Sequence, residues 1–139
     1  MSTRAEPDLT VAAFERGDID AERFDHEAHL YAAWLYLDAF PGEASERFVA
    51  ALKRLTVKLG VPGKYHDTIT RFYLAVMAER RQQAPGSDWP AFRRANRDLF
   101  DRSDNVLSRY YSGDRLASEL ARESFVLPDQ VPGSQPRSE

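Results

Sequence analysis

Three histidines, His26, His29 and His66, are the side chains of this sequence best suited to chemistry near neutral pH. Imidazole alone titrates there without help from its surroundings, and its nitrogens also bind metals. His26 and His29 stand three residues apart in "FDHEAHLYAAWLYLDAF" (24–40). On a helix that spacing puts both rings on one face. His66 lies in "VPGKYHDTIT" (61–70), in the expected first turn of another helix, where the dipole disfavours a cationic ring. Three nitrogen donors from two helices would suit a divalent metal, zinc or non-haem iron, with a position open to water or substrate. Without metal, the same rings would form a histidine–tyrosine pocket able to move a proton. The plain alternative has them in the core, bonded to backbone carbonyls, Thr70 or tyrosine hydroxyls. The candidate catalytic or metal-binding residues are thus His26, His29 and His66. Lys64, Tyr65, Thr70 and Tyr110 are candidate ligand-binding residues around them.

Other chemistries find little support. There is no cysteine, so thiolate metal sites, disulfides and thiol nucleophiles drop out together. No serine sits in an elbow motif. Gly63–Lys64 precede a helix and could hold a carboxylate or phosphate, but the spacing is not that of a P-loop. The Glu-x-x-His pairs of a di-iron bundle are absent, and Glu27 is expected on a wet helix edge, away from any metal. A net charge of −3 speaks against a general nucleic-acid binder. The arginines at 80, 81, 93, 94 and 97 read as a solvated face. The opening twenty residues lack an apolar signal region and no run reaches membrane length, so a cytoplasmic protein with no membrane partner is expected.

These side chains are carried by helices throughout. With 42% hydrophobic and 29% charged residues the composition is that of a packed globular domain. Residues 1–7 read as a flexible arm, 8–127 as a single helical domain, and the Pro/Ser/Gly-rich 128–139 as a disordered tail. Helices are expected over 10–16, 25–40, 43–59 and 65–83. Shorter ones follow at 89–96, 103–110 and 112–124. Asp25 is the expected N-cap of the second helix, and Pro41–Gly42 its end. In the third, Ala44, Phe48, Ala51, Leu52, Leu55 and Leu59 form one stripe. No stretch alternates with period two. The class is all-α, a bundle of about four main helices.

The second helix is apolar nearly all round, so it belongs at the centre of the bundle or under a second subunit. The latter would make the chain a dimerisation or interaction module with purely structural histidines, the alternative to a small-molecule enzyme or binding protein. A shared histidine site needs the second and fourth helices to run parallel, with the third antiparallel to both.

The runs "FDHEAHLYAAWLYL", "PGKYHDTIT" and "RYYSGDRLASELARESFVLPD" resemble a group of small, uncharacterised bacterial proteins, over about residues 24–129. The resemblance implies a bacterial single-domain helical protein. It implies no activity, cofactor or substrate.

Overall fold

The computed structural model describes residues 9–130. They form α-helices joined by short 3-10 turns, with no strand among the described residues. The expected arm at 1–7, and the expected tail beyond residue 130, lie outside them. The first residues of that tail are held. Asp129 accepts from the Ser112 N–H (2.9 Å) and hydroxyl (2.6 Å), and the Gln130 N–H donates to the Tyr110 carbonyl (3.0 Å).

Caps fix the main helices. In α1 (Val11–Arg16) the Thr10 hydroxyl accepts from the Ala13 N–H, and Gly17, with φ 72°, ends the helix in a left-handed residue. In α2 (His26–Ala39) the Asp25 carboxylate accepts from the Ala28 N–H at 2.9 Å. Helix α3 (Ala44–Lys58) buries Ala44, Phe48, Val49, Ala51, Leu52 and Leu55, the stripe its sequence displays, with Leu59 half-buried just beyond. Helix α4 (Asp67–Gln83) starts later than the expected 65, because His66 is its N-cap. The ring Nδ1 accepts from the Ile69 N–H at 3.2 Å, a role usually filled by a serine or aspartate oxygen.

The last third departs further from expectation. After α5 (Trp89–Ala95), the helix expected at 103–110 is reduced to α6 (Leu107–Tyr110). Asp101 Oδ1 captures the Ser103 N–H at 2.8 Å, and the local turn wins over the helix. The segment 112–124 is two helices, α7 (Gly113–Ala117) and α8 (Glu119–Glu123), broken at the extended Ser118, which caps α8.

Helix α3 packs on α1, α2 and α4, while α8 lies against α4. Fully buried Thr68 ties those two together, donating to the Ala121 carbonyl (2.7 Å) and accepting from the Val126 N–H (3.1 Å). Both faces of α2 are buried within the single chain: Leu30 and Ala33 on one side, Tyr31 on the other. A partner is therefore not needed to account for its all-round apolarity. On the Tyr31 side the wet edge expected at Glu27 is absent. Glu27 is 5% exposed and accepts two hydrogen bonds from Arg93, at 2.9 and 3.1 Å. The Tyr31 and Trp34 rings both pack edge-on against Trp89 of α5. The expected solvated arginine face is likewise corrected. Arg80 is bidentate on Asp98 and Arg81 reaches Asp38, leaving Arg94 and Arg97 exposed.

Candidate functional site

A cavity of about 410 Å³ lies among α2, α3 and α4. Its wall takes the first turns of α2 and α4 and the last turns of α3. A shallow groove at the far end takes the last turns of α2 and α4 and the first of α3. Helix α3 thus runs against both neighbours, and the starts of α2 and α4 meet. Most of the wall is apolar, with Leu30, Ala33, Phe48, Leu52, Leu55 and Ile69 contributing. His26, His29, His66, Lys64, Tyr65 and Thr70 line it as well. Tyr110 does not: its ring sits 5.3 Å from Phe72, on another side of α4.

The hydrogen bonds decide what each imidazole presents. A carbonyl oxygen can only accept, so a ring nitrogen bonded to one must carry the proton. His26 Nε2 donates to the Leu99 carbonyl at 2.8 Å. His66 Nε2 donates to the Leu116 carbonyl at 2.8 Å, and its Nδ1 is occupied by the Ile69 N–H, so both nitrogens are committed. His29 has the other tautomer: Nδ1 donates to the Asp25 carbonyl at 3.2 Å, which leaves the Nε2 lone pair without a partner among the described residues. Burial holds the His29 ring below its ordinary value of 6.5, nearby His26 adds to this, and the bond to Asp25 opposes it. The neutral ring with a bare Nε2 is therefore the form present near neutral pH.

The hydroxyls of the wall are engaged too. Tyr65 donates to Asp67 at 2.6 Å, and its phenol is raised by burial and then by that carboxylate. Thr70 donates to the His66 carbonyl at 2.8 Å. Tyr73 donates to Asn105, and burial pushes its phenol up to about 12. Lys64 is exposed at the rim.

Among the described residues, no three His, Asp or Glu side chains are grouped so as to hold a metal ion. For zinc or iron to sit on the three rings, His66 would have to release the Leu116 carbonyl or the α4 cap, at the cost of leaving a buried group unsatisfied.

Two wall residues escape a reading of the histidines alone. Phe24 lies with its ring 4.0 Å from His29. It occupies the position before the Asp25 cap and His29 the fourth helical position, the pairing of a hydrophobic staple, so the spacing carries that signal. Tyr73, legible only as a core residue, meets the His26 ring edge-on at 5.3 Å.

No family model, curated protein or solved structure matches the chain. The described residues form an all-helical domain with a cavity of about 410 Å³ at the shared end of three helices.

Proposed function

We propose that the protein binds a small, largely apolar molecule in the α2–α3–α4 cavity, with His29 as its main polar contact. One observation carries the reading. A cavity of about 410 Å³, walled by core side chains, contains a neutral imidazole whose outer nitrogen has no protein partner. Ligand sites are typically of this kind, concave and mostly apolar with a few placed polar groups. His29 is also the group equipped to take a proton from a bound molecule, whereas His26 and His66 act through carbonyl bonds that position the starts of α2 and α4.

Titration with naphthalene, followed by tryptophan fluorescence, tests the reading. Wild type binds the probe saturably. Ala33→Phe, which places a ring in the cavity from a wall position 3% exposed, abolishes binding while the protein stays folded. Failure of the wild-type protein to bind either naphthalene or a substituted naphthalene, or undiminished binding by folded Ala33→Phe, would contradict the proposal. So would stoichiometric zinc or iron in untagged protein that disappears in His29→Ala, since the rings would then serve a metal.

A further inference from the structure

Resting on the cavity reading, we infer a ligand class: a neutral molecule presenting a hydroxyl, in preference to a carboxylate or a bare hydrocarbon. The side-chain protons facing this region are already assigned to protein acceptors. Thr56 donates to the Lys53 carbonyl, Thr70 to His66, Tyr65 to Asp67 and Tyr73 to Asn105. The rings of His26, His29 and His66 donate to the carbonyls of Leu99, Asp25 and Leu116.

What remains is lone pairs. Nε2 of His29 and Nδ1 of His26 have no hydrogen-bond partner among the described residues. A carboxylate entering this wall would meet apolar side chains and lone pairs, with a charged donor only at Lys64 among the wall side chains, exposed at the rim. It would lose its hydration with nothing to replace it. A hydrocarbon would fit but would leave the imidazole lone pairs dry and unpaired. A hydroxyl supplies the one missing element, a donor. A phenol with an ordinary pKa of about 10 keeps its proton against an imidazole held below 6.5, so the contact is a neutral hydrogen bond.

Three probes of one shape separate these cases: 2-naphthol, naphthalene and 2-naphthoate, titrated into the full-length protein at about pH 7.5. The expected order is 2-naphthol tighter than naphthalene by up to about tenfold, the range a single added hydrogen bond supplies, with 2-naphthoate weakest. His29→Leu abolishes the preference, so that 2-naphthol and naphthalene bind alike. His29→Gln, which retains an acceptor, keeps part of the preference. The wild-type ranking stands as a test whether or not either variant folds. Equal binding of 2-naphthol and naphthalene, or tightest binding of 2-naphthoate, overturns the ligand class while leaving the cavity reading intact. Failure of all three to bind overturns both.

Discussion

The two faces of α2 solve the same problem in opposite ways. On one, Glu27 and Tyr31 are buried beneath α5, where the Trp89 ring meets Tyr31 and Trp34 edge-on at centroid distances of 4.9 and 5.6 Å. The Glu27 carboxylate there is closed off by Arg93. On the other, Leu30 and Ala33 face a void, and two imidazoles stand at its edge. Protein interiors are ordinarily filled to crystal-like density, and an apolar helix has no difficulty achieving this, as its first face demonstrates. The second face is therefore open because of the residues placed there: alanine at 33 where a leucine would reach across, and hydrogen-bonded rings in place of aliphatic side chains.

That contrast can be attacked from its strongest side first. Trp89→Ala removes the ring on which the closed face is built, and a loss of about 3–5 kcal/mol is expected from urea denaturation. A cost near 1 kcal/mol would mean the face is not packed as described. Glu27→Ala comes next. It leaves Arg93 without its partner, but that guanidinium is 36% exposed, so water takes over part of its solvation. The expected cost is about 2 kcal/mol, below the figure for a fully enclosed pair. An unchanged midpoint would return Glu27 to solvent.

Two consecutive alanines sharpen the comparison. Ala32 is fully buried and outside the cavity wall, whereas Ala33 is part of that wall. Ala32→Leu should destabilise by about 1–3 kcal/mol through overpacking. Ala33→Leu should cost nothing, or stabilise by up to about 1 kcal/mol by filling space. Equal costs at both positions would mean that the cavity closes up in solution.

The smallest effect concerns pH. Folding lowers the His29 value below 6.5, so as pH falls the unfolded chain binds this proton before the native one does. The ring's contribution to stability is therefore complete above about 6.5 and is lost as pH falls towards the folded value. His29→Gln should lose less stability than wild type between about pH 7.5 and about pH 5.5, measured by urea midpoints. A steeper loss in the variant would reverse the assigned direction.

What the sequence discloses is local, and what it conceals is long-range. The Asp25 cap, the α3 stripe and the Gly17 stop depend on neighbours within a turn, and they are legible from spacing alone. The inward aim of the three histidines is legible for the same reason. The pairing of Glu27 with Arg93 spans 66 positions, so helix periodicity assigns each to water when each in fact has the other. Thr68 is hidden similarly: its partners, at Ala121 and Val126, belong to a segment whose path is set by tertiary contacts. His66 shows a subtler limit. Its place near the start of α4 is readable, but not that the ring itself would cap the helix, because imidazole seldom takes that role. Tyr110 shares the polar character of the wall residues, yet its ring packs on Phe72 away from the cavity, a placement set by the chain's path after α5.

The three rings differ: two hold protons on Nε2 for backbone carbonyls, while His29, a residue of the cavity wall, has an Nε2 without a hydrogen-bond partner among the described residues. Histidine nitrogen NMR at about pH 7.5, with and without 2-naphthol, measures this directly. The account predicts Nε2–H tautomers for His26 and His66, an Nδ1–H tautomer for His29, and a ligand-induced shift of the His29 Nε2 resonance. An Nε2–H tautomer or a charged ring at His29, or a resonance that ignores the bound ligand, would contradict it.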